Sequence, residues 1–138
     1  MFKKIILDTM ILILFLKEKR RNRSSNCTKE DILAWATELI YKQKTNQILT
    51  PIYLEMIGGI IHGQEMDETL AFLNHFKCAD EGKGKFTQAD LLKATHLAKK
   101  IPLGPDPRRR DAVDCLIKAW TINRGYELRT LDQGMPRG

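Results

Sequence analysis

The sequence predicts an α/β fold with a parallel sheet and helical crossovers. Two observations carry that prediction. Short apolar runs with strand character, "KKIILD" (3–8), "NQILTP" (46–51) and "YELRT" (126–130), are set far apart in the chain. Between them lie longer segments with the apolar period of helices and with helix start and stop residues. Strands separated by helices cannot be joined as hairpins, so they pair in parallel through crossovers.

Each element has its own local reason. "KKIILD" is a continuous β-branched and aliphatic run that ends in an acid, the pattern of a strand buried on both faces. "TMILILFLKEKR" (9–20) lacks strand alternation and has helical length. "KEKRRNRSSN" (17–26) is strongly basic and reads as an exposed loop closing that helix. Thr28, followed by Glu30 and Asp31, then by Lys42 and Lys44, marks a helix over about 29–44 with an N-cap and complementary end charges. Pro51 can open a helix after the second strand. "IYLEMIGGIIHG" (52–63) reads as that helix, weakened by Gly58 and Gly59. "EMDETLAFLNHFKC" (65–78) is a fourth helical pattern and "ADEGKGKF" (79–86) a flexible loop. Thr87 caps a fifth helix, "TQADLLKATHLAKKI" (87–101). "PLGPDPRRR" (102–110) breaks the chain. "DAVDCLIKAWTINRG" (111–125) is a sixth helix closed by Gly125.

Composition places these elements in one domain, 1–138. The 138 residues suit a single core, and 43% hydrophobic with 29% charged residues is ordinary for a globular protein. The net charge of +6 favours a polyanionic partner. Cys27, Cys78 and Cys115 have no paired spacing, which argues against a disulfide framework or a zinc ribbon and for a reducing compartment. "MFKKIILDTMILILFLKEKR" mimics a signal peptide, but Asp8 interrupts its apolar run and no small-residue cleavage site follows. Its apolar part is also too short for a membrane span. A cytoplasmic location without membrane association is expected.

The acids are the chemically informative residues. In a parallel α/β sheet, function gathers at the carboxyl ends of the strands. Asp8 ends the first strand, and Asp132 follows the last. Glu55 lies in the first turns of the helix after the second strand, and Asp114 in the first turns of the sixth helix. All four can converge on one edge. Packed carboxylates repel one another unless their protons stay on or a cation neutralises them. Oxygen ligands alone favour a hard ion, Mg²⁺ or Mn²⁺. Taken singly, each acid also has a structural reading: Asp8 and Asp132 as turn residues, Glu55 as a helix N-terminal charge, Asp111 as the cap of the sixth helix. Trp35 and Trp120 read as core. His62, His75 and His96 are scattered and lack ligand spacing.

"IILDTMILI", "LTPIYLEMIGG" and "DCLIKAWTINRGYELRTLD" together resemble the successive motifs of the PIN domain family, the metal-dependent nucleases common among VapC-type toxins. The resemblance runs nearly end to end. It implies a three-layer α/β/α fold with a short central parallel sheet of about four strands. It implies that Asp8, Glu55, Asp114 and Asp132 are catalytic and bind Mg²⁺ or Mn²⁺, with Thr9, Thr130 and Asp111 as auxiliaries. The implied activity is endoribonuclease cleavage of RNA, in a toxin paired with a small antitoxin protein, often as a homodimer. Nothing in the residues distinguishes RNA from single-stranded DNA. Arg20, Arg21, Arg23, Arg108, Arg109 and Arg110 are the expected phosphate-binding residues. The chain departs from the pattern at Met10, where the family has a polar residue, and in "QGMPRG" (133–138), where a further acid often stands. Those departures motivate a second expectation, a nucleic-acid-binding module with a degenerate metal site.

Overall fold

A computed structural model of the chain describes residues 4–21, 27–58, 60–100 and 112–130. The elements in order are β1 (Ile5–Leu7), α1 (Thr9–Arg21), α2 (Lys29–Gln43), β2 (Gln47–Ile48), α3 (Pro51–Ile57), α4 (Gly63–Leu73), β3 (Lys77–Cys78), α5 (Gln88–Lys100), α6 (Ala112–Arg124) and β4 (Glu127–Arg129). A 3-10 turn, Gly82–Gly84, lies between β3 and α5. The class is α/β, with helices predominating over a small set of short strands.

All the strand pairing is parallel. β1 pairs with β4, Ile5 opposite Glu127 and Leu7 opposite Arg129. β2 pairs with β3, Gln47 opposite Lys77. The two pairs are separate ladders among the described residues. They adjoin at β1 and β2, where the buried Thr45 hydroxyl donates to the Ile5 carbonyl at 2.7 Å. Ile5, Ile6 and Leu7 are almost fully buried, which is why β1 is apolar at every position. Around them pack Leu12, Leu39, Ile52, Phe72, Ile117 and Trp120, one from each of α1 to α4 and two from α6. Trp35 and Cys115 are also buried, as their apolar neighbours predict.

Several local readings hold. Thr28 and Asp31 form a reciprocal capping box, at 3.2 Å and 2.9 Å. Pro51 opens α3. Gly125 closes α6 at φ +71°, a conformation that glycine adopts without a Cβ clash.

Four readings need correction. The basic stretch from Lys17 to Arg21 is helical and belongs to α1. Lysine and arginine are good helix formers, and cations are favoured at a helix C-terminus. Two of them also dock: Lys19 pairs with Glu38 of α2 at 2.7 Å, and Arg20 faces Glu65 and Glu68 of α4 at 3.6 Å each. α3 stops at Ile57, with Gly58 as its cap, well short of residue 63. The fourth helix stops at Leu73, and Lys77–Cys78 is a strand. Two residues carry no period, so pairing with β2 decides their state. The loop 79–86 is tied down. Trp120 Nε1 donates to the Gly84 carbonyl at 2.6 Å, and a Cβ on Gly84 would collide with the Ala79 carbonyl.

Asp80, in that segment, is buried and accepts from the Thr50 backbone N–H at 2.9 Å and from the Thr50 hydroxyl. It therefore closes the start of α3 from 30 residues away. Asp80→Ala removes both hydrogen bonds that the buried carboxyl accepts from the exposed Thr50, a cost of about 1–3 kcal/mol. Urea unfolding of the variant should show that loss, and an unchanged midpoint would refute the assignment.

Candidate functional site

Three elements bring three of the expected acids to one region. Asp8 follows β1, and its backbone N–H donates to the Arg129 carbonyl at 3.0 Å, one rung past the β1–β4 ladder. Its carbonyl accepts from Ile11, so the same residue ends the strand and opens α1. Thr9, the first residue of α1, is buried, and its hydroxyl donates to Glu55 Oε1. Glu55 stands one turn into α3, the helix whose start Asp80 fixes. The carboxyl end of β1 and the helix following β2 thus meet at the Thr9–Glu55 hydrogen bond.

Asp114 reaches the same region from the first turn of α6. It pairs with Lys118, one turn on, at 3.3 Å. Asp8 feels the charge of both other acids. Its carboxyl is pushed up from 3.8 to about 6, by burial first and then by the charges of Asp114 and Glu55. The Thr9 backbone N–H and the Lys118 ammonium act in the opposite direction. A carboxyl raised by burial and by two like charges marks a candidate functional group.

A cavity of about 410 Å³ opens from Asp8, Asp114 and Thr130 and runs along α6 and β4 past Lys118 and Ile122 to Tyr126. A second, of about 370 Å³, is lined by Glu55 with Ile13, Leu16, Met56 and Arg20.

No family model, no curated protein and no solved structure matches this chain. Among the described residues no helix is long and apolar enough to cross a membrane.

The remaining expected residues divide as follows. Thr130 follows β4 and lines the first cavity beside Asp8. Asp132, Asp111, Arg23, Arg108, Arg109 and Arg110 lie outside the described residues. Arg20 donates to the Thr69 hydroxyl at 3.1 Å besides facing Glu65 and Glu68, so its guanidinium is engaged within the protein. Arg21, the last residue of α1, is exposed.

Among the described residues, no three Asp, Glu, His or Cys side chains form a ready-made metal cluster. The donor chemistry still fits a hard ion. Mg²⁺ binds through one or two carboxylates, keeps several waters and takes the rest of its shell from substrate phosphate. Asp8 and Asp114 meet that requirement. Lys118 and Asp80 were not singled out from sequence. The four-residue spacing of Asp114 and Lys118 on a helix is a legible pairing. Asp80 carries no comparable local pattern.

Proposed function

We propose that this chain is a metal-dependent endoribonuclease with a PIN-like three-layer α/β/α fold. The observation that carries the reading is the convergence of Asp8, Glu55 and Asp114 from β1, α3 and α6, with Asp8 raised to about 6 by its burial and its acidic neighbours. Such a site gains from a cation, and the net charge of +6 suits a nucleic acid.

In this reading Asp8 and Asp114 hold Mg²⁺ or Mn²⁺, and Asp132 joins them as the fourth acid. Glu55, which accepts from the Thr9 hydroxyl, would help hold the ion, directly or through water. Thr130 and Asp111 are auxiliaries. An ion bound there supplies water activation and stabilisation of the departing oxygen of a phosphodiester. The exposed Arg21, with Arg23 and Arg108 to Arg110, contacts flanking phosphates of RNA. As a cytoplasmic toxin the protein works as a homodimer, and a small antitoxin covers its acidic edge.

The experiment is calorimetry of Mn²⁺ and Mg²⁺ binding to wild type and Asp114→Asn, with RNA cleavage assayed on the same samples. The variant should bind the ion at least tenfold more weakly and cleave about 100-fold more slowly, on the scale of losing one preorganised group. Wild type that binds neither ion, even with RNA present, would sink the proposal.

A second reading draws on Met10. It is 47% exposed, and its thioether side chain has no hydrogen-bond donor to hold Asp8. A binding module without catalysis would take RNA equally well with or without Mg²⁺, with affinity falling as salt rises.

A further inference from the structure

We infer that the cavity along α6 and β4 is a nucleotide subsite, taking one nucleotide of single-stranded RNA beside the phosphate that reacts at Asp8 and Asp114. The inference rests on the nuclease reading and adds the substrate contact. Lys118 binds that nucleotide's phosphate, and Ile122 and Tyr126 form the wall for its base.

The cavity is continuous with the acids, and its about 410 Å³ falls within the range of small-ligand sites. Its character changes along its length. One part of its lining is Asp8 and Asp114, which repel a phosphate. Lys118 stands next to them, its ammonium 3.3 Å from Asp114 and its side chain 46% exposed. It is the cation of the lining that can receive a phosphate oxygen beside the two acids. As a plain helix-surface pair with Asp114 it would add only a few tenths of a kcal/mol to α6 and need not border a cavity.

One turn further along α6, Ile122 lines the cavity and is 51% exposed, so its aliphatic side chain is open to a ligand there. Tyr126 also lines the cavity and is half-buried. Its ring is fixed by a tilted contact with Trp120, 4.9 Å between centroids, and Lys4 stands over it at 5.9 Å. An aliphatic residue and an anchored aromatic, with two lysines nearby, match an unpaired nucleotide. The base faces apolar and aromatic surface while the backbone meets positive charge. A duplex buries its base faces by stacking and could not use this wall.

The test uses full-length protein and a fluorescein-labelled single-stranded RNA oligonucleotide, with binding followed by anisotropy in EDTA across a salt series. Cleavage kinetics with Mn²⁺ are measured in parallel. Lys118→Met should weaken binding about tenfold and lower the slope of log affinity against log salt by about 0.7, the loss of one phosphate contact. Lys118→Arg should restore the slope. Ile122→Ser, at an exposed position that leaves the fold intact, should weaken binding about tenfold with the slope unchanged. In cleavage, both Lys118→Met and Ile122→Ser should raise KM more than they lower kcat. Wild-type affinity and slope in Lys118→Met and Ile122→Ser would overturn the subsite. If wild type fails to cleave but the two variants still lose binding as described, the nuclease reading falls and the nucleotide site stands. If wild type cleaves and the variants behave like it, the nuclease reading stands and the subsite falls.

Discussion

Asp8→Asn should abolish Mn²⁺-dependent cleavage and at the same time make the metal-free protein harder to unfold at neutral pH. The second half follows from the raised carboxyl. In the folded protein Asp8 titrates at about 6 against an ordinary 3.8, chiefly through burial and then through Asp114 and Glu55. The folded state therefore holds the proton more tightly than the unfolded chain. The stability this provides is fully present below about pH 4 and is lost as pH rises through about 6. At pH 7.5 the ionised group is a net cost. A shift of this size corresponds to about 3 kcal/mol at most, and partial solvation brings it to about 1–3 kcal/mol. Asparagine keeps the shape and removes the charge. In EDTA, denaturant midpoints should favour the variant at pH 7.5, and the advantage should shrink towards pH 4.5. Added Mn²⁺ should reverse the order, because ligand binding to the folded state stabilises only the protein that binds it. Equal stabilities at both pH values would remove the electrostatic case for the site.

The opposite signs of those two effects separate a functional acid from a structural one, and the two kinds differ in how they are written in the sequence. Asp8, Glu55 and Asp114 are legible because each stands where a strand gives way to a helix or in a helix's first turns, and such positions can be read locally. Thr28, Pro51 and Gly125 are legible for the same reason: a cap, a fixed φ and a positive φ are properties of one residue and its neighbours. β3 is not legible, since Lys77 and Cys78 become a strand only through β2. The end of α1 is misread as loop because basic residues look solvated in sequence, while Lys19 and Arg20 find partners on α2 and α4. Asp80 shows the limit most clearly. Its partner Thr50 is 30 residues away, and nothing near either residue announces the other. Lys118 lies between these cases. Its pairing with Asp114 is in the helical spacing, but its place on a cavity depends on how α6 lies against β4.

Asp90 shows the same limit at larger energetic scale, and Asp90→Ala should be the most destabilising single substitution considered. Its side chain is almost wholly buried and fully used. It accepts from the Thr87 backbone N–H at 2.7 Å, from Asn123 at 3.0 Å, and from both terminal nitrogens of Arg124 at 2.7 and 3.0 Å. Arg124 in turn lies over the Trp120 ring at 4.5 Å and donates to the Lys85 carbonyl at 3.0 Å. One carboxylate thus joins the start of α5, the end of α6 and the turn before α5. Burial opposes its charge, but the hydrogen bonds from Arg124, Thr87 and Asn123, with the Arg124 charge, outweigh that and hold its carboxyl at about 2. Because the folded value is depressed, its contribution is present above about pH 4 and is lost as pH falls towards about 2. Alanine strands a partly buried guanidinium and three further donors, the Thr87 N–H and hydroxyl and the Asn123 amide, so the expected loss is about 3–5 kcal/mol. For a domain of this size that lowers the melting temperature by about 10–20 °C. Asp90→Ala combined with Arg124→Met should recover part of the loss, since the orphaned charge goes with its partner. A loss under about 1 kcal/mol in the single variant, or no recovery in the double, would mean that α5 and α6 are held together by contacts other than the Asp90–Arg124 pair. Asp114 would then owe its position at the other end of α6 to the core around Ile117 and Trp120.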